Sequence, residues 1–220
     1  MEHPNATAHA ARLAALEGVD DDLRRLAAGE WMCIRASESL LRQYGETHFT
    51  CATINRIFYD APDEAKRLLR ELAPGVASDV AFLPPIMIDY GPCLVVGERT
   101  FINCDFLIIG GGPVVIGTDC LIGPRYGIYT PNHAEDPVER LDGRERTAPV
   151  VIGDNVWLGG SVSIMQGVTI GRDSIIGAGS VVTKDIPPGV IAVGNTCKPL
   201  RPIEGPNVKP PAPTSRSAVV

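Results

Sequence analysis

An all-β core built as a parallel β-helix is the fold class that this 220-residue sequence predicts. Three observations carry it: a six-residue repeat of branched aliphatic residues, glycine after most of its members, and a scarcity of aromatic side chains. Ile152, Leu158, Ile164, Ile170, Ile176 and Val182 fall at intervals of six, and Gly153, Gly159, Gly171 and Gly177 directly follow four of them. Four residues after each comes a second small or branched residue: Val156, Val162, Val168, Ser174, Ser180 and Ile186. A less regular block precedes them, with Val96, Ile102 and Ile108 and then, after two extra residues, Ile116, Ile122 and Ile128. A helix turns every 3.6 residues and cannot keep period six on one face, and a flat strand would show period two. Six-residue units suit one short strand plus one corner, three to a coil of about 18 residues, with each branched side chain pointing into a narrow interior. The glycine is expected to tolerate the tight backbone of the corner. Coils stacked about 4.8 Å apart bury their aliphatic side chains against one another. Such a core suits a chain with only 12 aromatic residues.

The remaining segments follow in order. Residues 8–28 place Ala, Leu and Arg at helical spacing, and Ala65 to Leu72 repeats that chemistry after the start signal Pro62-Asp63-Glu64, so residues 1–75 read as an N-terminal helical region. Residues 76–203 form the β-helix domain. Its repeat breaks between Ile128 and Ile152, where the polar residues 131–149 read as a loop extruded from a rigid scaffold, the usual setting of a functional loop. Residues 204–220, with Pro206, Pro210, Pro211 and Pro213 and almost no large apolar side chain, read as a disordered tail.

Composition narrows the function. Twenty basic against 26 acidic side chains give a net charge of -6, which disfavours nucleic acid as a partner. No apolar run approaches the roughly 18 to 20 residues of a membrane span, and no secretory signal opens the chain, so a cytoplasmic protein is expected. The six cysteines show no CxxC pairing, which argues against a zinc site or a disulfide framework and for small buried hydrophobes. Charge is uneven along the chain: residues 178–220 hold 5 basic and 2 acidic side chains, a local excess that either is solvated or receives a small polyanion.

Five segments resemble the hexapeptide-repeat acyltransferases, most closely the branch of maltose, galactoside and nodulation O-acetyltransferases. They are Phe101-Ile102-Asn103, Ile128-Tyr129-Thr130-Pro131-Asn132-His133, Asp136-Pro137-Val138-Glu139-Arg140, Ile152 to Gly160, and Ile176 to Pro188. The resemblance covers about residues 84–203 and implies a left-handed β-helix, a homotrimer with sites between subunits, acetyl-coenzyme A as co-substrate and no metal.

His133 matches the family's catalytic histidine. A neutral imidazole, whose ordinary pKa is about 6.5, can take the proton that makes an alcohol a competent nucleophile. Glu145 stands where many relatives carry glutamate, either orienting that imidazole or lying solvated in the loop. Asn103 matches the asparagine that the family places near the thioester, where an amide N–H stabilises the developing oxyanion. Gly160 and Ala178 lie 18 residues apart, one above the other in successive coils, and in relatives such a column of small residues receives the pantetheine arm. Thr183, Lys184, Lys198 and Arg201 match positions that contact the coenzyme's amide and phosphates, where cations form charge-assisted hydrogen bonds. Trp157 either packs structurally or lines the same groove.

The acceptor side departs from the pattern. Ile34 and Gly111 occupy places where sugar-acetylating relatives carry acids, while Asp89, Phe101 and Arg42 remain as candidate acceptor contacts. The expected activity is acetyl transfer to a hydroxyl or amine of a small sugar-like or natural-product acceptor. The alternatives are a serine-type or xenobiotic acetyltransferase of the same superfamily, and a non-catalytic β-helix scaffold.

Overall fold

The computed structural model describes residues 19–205, so residues 8–18 of the expected first helix and residues 206–220 of the expected tail lie outside it. The six-residue repeat closes into a three-faced prism. Face 1 stacks Gly75–Val76, Leu94–Val96, Val114–Ile116, Val150–Ile152 and Thr169–Ile170 in parallel. Face 2 stacks Ala81–Phe82, Phe101–Ile102, Leu121–Ile122, Trp157–Leu158, Ile175–Ile176 and Val190–Val193, and face 3 stacks Ile86–Ile88, Phe106–Ile109, Tyr126–Tyr129, Ser163–Met165 and Val181–Val182. Each strand pairs with its counterpart in the next coil, as Val96 with Ile116, Ile116 with Ile152, and Ile152 with Ile170. The chain therefore advances one coil in 20 residues before the extruded segment, in 18 directly after it and in 16 at the last coil.

The inward columns are those the repeat marks. Ile152, Leu158, Ile164, Ile170, Ile176 and Val182 are at most 1% exposed, and Val156, Val162 and Val168 at most 2%. Toward the last coil serine replaces valine at the second position, and its hydroxyl is satisfied by backbone. Ser174 Oγ donates to Pro187 O at 2.9 Å, and Ser180 Oγ donates to Gly177 O at 2.6 Å.

The glycines serve a different purpose from the one expected. A Cβ at Gly153 would lie 2.6 Å from the Arg172 N of the next coil, and one at Gly159 would lie 2.6 Å from the Ala178 N, so these positions exist to let coils approach. The left-handed backbone falls two residues later, at Asn155 (φ 53°), Ser161 (φ 58°) and Asp173 (φ 59°). Short polar side chains tolerate that conformation.

The prism's open end would expose its first coil to water. Two helices cover it: α2 (Glu38–Ile57) and α3 (Pro62–Leu72), preceded by α1 (Asp21–Ala27). Ser37 caps α2 by accepting from the Leu40 N–H at 3.2 Å, and proline opens α3 where its missing N–H costs nothing. Cys51, Ile54, Phe58, Ala65 and Leu69 join the same apolar cluster as Val76, Phe82 and Ile88. Helical spacing does not extend through the whole N-terminal region, because Met32–Cys33 pairs as a strand with the extruded segment. At the far end Lys198–Pro202 folds back antiparallel on Val190–Val193. No described helix is long and apolar enough to cross a membrane.

Aromatic side chains also enter the interior at Phe82, Phe106 and Tyr126, and the last of these carries a hydroxyl. Tyr126 is 1% exposed and stacks on Phe106 at 5.0 Å between centroids, and among the described residues its hydroxyl has no partner. A buried hydroxyl without a partner costs about 1 to 3 kcal/mol, so Tyr126→Phe should raise the melting temperature while keeping the ring stack. A lower melting temperature, measured by scanning calorimetry, would show that the hydroxyl is satisfied inside the prism.

Candidate active site

The extruded segment leaves the prism at the corner between faces 3 and 1. Thr130, fully buried, secures the exit: its Oγ1 donates to Ile109 O at 2.9 Å and accepts from the Gly112 N–H at 3.1 Å. Beyond it the chain builds its own small sheet. Pro131–His133 pairs antiparallel with Arg144–Thr147, which pairs on its other edge with Met32–Cys33. Between the two loop strands runs α4 (Pro137–Leu141), capped by Asp136 Oδ1, which accepts from the Val138 and Glu139 N–H groups at 2.9 and 3.0 Å. Thr147 Oγ1 donates to Leu26 O at 2.6 Å and ties this sheet to α1.

The register brings two expected residues together. His133 lies opposite Glu145, so their side chains share one face, and alternation sends Arg144 and Arg146 to the other, where both guanidiniums lie over Trp31. His133 Nδ1 stands 3.5 Å from Glu145 Oε2, an electrostatic contact longer than a good hydrogen bond. The imidazole side chain is 58% exposed and the carboxylate 14%. Burial pushes the Glu145 carboxyl above its ordinary range; nearby His133 opposes this, Asp89 adds to it, and Arg35 opposes it. An imidazole whose Nδ1 faces a carboxylate presents Nε2 outward as a base.

Asp89 sits on the same corner two coils below the exit, and sequence reasoning missed its partner. Its Oδ1 is 2.9 Å from His48 Nε2, and its Oδ2 accepts from the Gly110 N–H at 2.7 Å. Tyr44 stacks over His48 with ring centroids 3.9 Å apart. The available signal was a polar side chain bordering the buried stripe of α2, which includes Thr47, Cys51 and Ile54. Thr183 and Lys184, both exposed, follow Val182 on this same corner.

A second group lies on a different corner, between faces 2 and 3. Asn103 follows Ile102, which is in register through Ile122 and Leu158 with Ile176, so Asn103 shares a column with Gly159 and Gly177, one residue from Gly160 and Ala178. Asn103 Oδ1 accepts from the Cys104 N–H at 2.8 Å, and among the described residues no hydrogen bond engages its Nδ2. Gly160 stands over Ala178, and the Gly179 N–H donates to Gly160 O at 2.9 Å. Phe101, Leu121, Trp157 and Ile175 form one outward column on face 2, with Trp157 52% exposed. Lys198 and Arg201, also exposed, lie on the terminal strand. Arg42, on α2, has its charge near Asp20 and is not brought to His133 by any described contact.

The two positions lacking acids have structural reasons. A Cβ at Gly111 would lie 2.6 Å from Leu26 Cδ2, so α1 already occupies the space of a side chain there. Ile34 packs with the apolar cluster of Leu23, Leu26 and Tyr90. Among the described residues, no group of three or more His, Cys, Asp or Glu side chains could hold a metal ion.

Comparison with known proteins adds independent findings. Residues 149–184 match the family model described as bacterial transferase hexapeptide (six repeats). A Saccharomyces cerevisiae protein provisionally named an acetyltransferase is 39% identical over 82% of this chain and 92% of its own length. The crystal structure of a maltose O-acetyltransferase from Clostridium difficile superposes with a TM-score of 0.79 at 36% identity, covering 83% of this chain and 97% of that one. A hexapeptide-repeat acetyltransferase from Vibrio cholerae, complexed with acetyl-coenzyme A, superposes with a TM-score of 0.75 at 33% identity, covering 84% and 100%.

The upward shift of the Glu145 carboxyl has a stability consequence. The folded state favours the neutral form, so the ionised group costs stability above its folded pKa, and the cost disappears as pH falls below its unfolded value. Glu145→Gln should therefore raise the melting temperature at pH 7, with the gain vanishing as pH falls below the unfolded carboxylate range. A variant less stable than the parent at pH 7 would contradict this.

Proposed function

The chain belongs to the hexapeptide-repeat acetyltransferases, and from that premise we propose that it transfers the acetyl group of acetyl-coenzyme A directly to a hydroxyl or amine of a small acceptor, with His133 as general base. The observation that carries the base assignment is the placement of His133 opposite the sheltered Glu145. In this reading Glu145 orients the ring through Nδ1, and Nε2 takes the acceptor's proton as its oxygen or nitrogen attacks the thioester carbonyl. The C–S bond then breaks, and the proton passes from the imidazolium to the departing thiolate. Asn103 offers its Nδ2 hydrogens to the carbonyl oxygen as negative charge develops there.

The residues present fit the co-substrate. Gly160 in register with Ala178 gives a column of small residues above Pro124, which supports room for an extended arm. Thr183, Lys184, Lys198 and Arg201 provide hydroxyl and cationic donors for an amide and phosphates. Because His133 and the Gly160–Ala178 column occupy different corners of one prism, the reading requires a neighbouring copy to complete each site, and a cyclic homotrimer supplies it. The acceptor pocket lacks acids at Ile34 and Gly111, which favours an acceptor other than a simple galactoside or maltose. Carboxylates are the natural acceptors for paired sugar hydroxyls.

His133→Ala should lower acetyl transfer about 100- to 10,000-fold while calorimetry shows coenzyme A binding retained. Unchanged turnover would refute the base assignment, and a parent chain that binds no coenzyme A would favour a scaffold. Asn103→Ala should lower kcat more than it changes the acceptor KM, because its interaction forms mainly in the transition state. The reverse pattern would reassign Asn103 to acceptor binding.

A further inference from the structure

We propose that His48 and Asp89 act as a positioning pair for His133, holding the corner of the prism from which the catalytic strand departs. The inference rests on the reading of His133 as the base, and it gives Asp89 a task other than contacting the acceptor. Both Asp89 oxygens are already engaged, Oδ1 by His48 Nε2 at 2.9 Å and Oδ2 by the Gly110 N–H at 2.7 Å, and its side chain is 8% exposed. A carboxylate so buried presents little surface to an acceptor hydroxyl.

What Asp89 holds is the base of the catalytic strand. Gly110 turns the corner in the left-handed region (φ +86°), and a Cβ there would lie 2.7 Å from both Pro131 Cδ and Thr130 Oγ1. Pro131, the first residue of the catalytic strand, therefore rests directly on Gly110. Thr130 ties the same two coils together through Ile109 O and the Gly112 N–H. A shift of Asp89 passes through Gly110 to Pro131, two residues before His133.

His48 is fixed from the other side. Two turns along α2, Asn55 clamps the helix to the prism: its Nδ2 donates to Ile86 O at 2.9 Å and its Oδ1 accepts from the Ile86 N–H at 2.8 Å. Tyr44 covers the imidazole, whose Nε2 points at Asp89. Contact thus runs unbroken from the capping helix to the catalytic strand. The pair also stands near the second member of the catalytic dyad, since the charge of Asp89 helps to raise Glu145. Misplacing a reacting group by about 1 Å can cost on the order of 100-fold in rate, so residues two coils below the catalytic strand can matter.

The test compares His48→Ala, His48→Gln and Asp89→Asn with the parent, using thiol release from acetyl-coenzyme A with the fastest acceptor among maltose, glucosamine, serine and 1-butanol. Nitrogen NMR of the His133 ring is recorded in parallel. His48→Ala should lower kcat about 10-fold with both KM values within about 2-fold, and His48→Gln, which keeps a donor to Asp89, should recover most of the rate. The His133 ring resonances should move in His48→Ala and Asp89→Asn and return in His48→Gln. A raised acceptor KM with unchanged kcat would instead make the pair an acceptor contact, and unmoved His133 resonances would overturn the proposal. The NMR readout needs no turnover, so loss of the base assignment through an active His133→Ala and loss of the positioning role are separate results.

Discussion

One inward branched side chain every six residues, seated on its counterpart in the coil below, is the constraint on which this molecule depends. Full burial of such a side chain contributes about 1.5 to 3 kcal/mol, and slipping one strand by a single residue would turn its inward members outward. The register is therefore held firmly enough to accept an insertion. Ile116 pairs with Ile152 although 36 residues separate them, and the columns continue unbroken on either side of the extruded segment. Corners inherit the same order. A side chain's corner and coil follow from its place in the repeat, so residues remote in sequence share a column.

This explains which parts were legible from sequence. The inward columns and the Gly160–Ala178 stack could be read because periodic burial leaves a periodic pattern. The role of the glycines was misread, because sequence shows where glycine falls and not whether φ or the approach of the next coil demands it. Asp89 could be singled out as a polar residue beside the repeat. His48 offered only its place beside the buried stripe of α2, because the rotation of α2 against the prism is set by tertiary contacts such as the Asn55 clamp. Nor could the contact between His133 and Glu145, twelve residues apart, be fixed. It depends on α4 and Asp136 closing the hairpin in one register.

The corner beside face 1 also shows where stability is spent. Glu145 is a sheltered carboxylate near a second one, Asp89, with only an exposed imidazole and Arg35 to offset it. Elsewhere in the prism acids lie at exposed corners beside arginines, as Asp119 does with Arg99 at 2.7 Å. An acid opposite His133 therefore costs local stability, which is consistent with the role proposed for it beside the base.

The central claim is that one chain carries two half-sites, the base on one corner and the coenzyme groove on another, and that neighbouring copies complete each other. Co-expression of His133→Ala with Ala178→Trp, which fills the groove, tests this most directly. Each variant alone should be nearly inactive. Randomly mixed trimers should regain about a quarter of the parent activity, because a site formed between one chain's intact His133 and another's open groove is whole. Mixed trimers, verified by light scattering, that remain as inactive as either variant alone would show that the half-sites do not join across subunits.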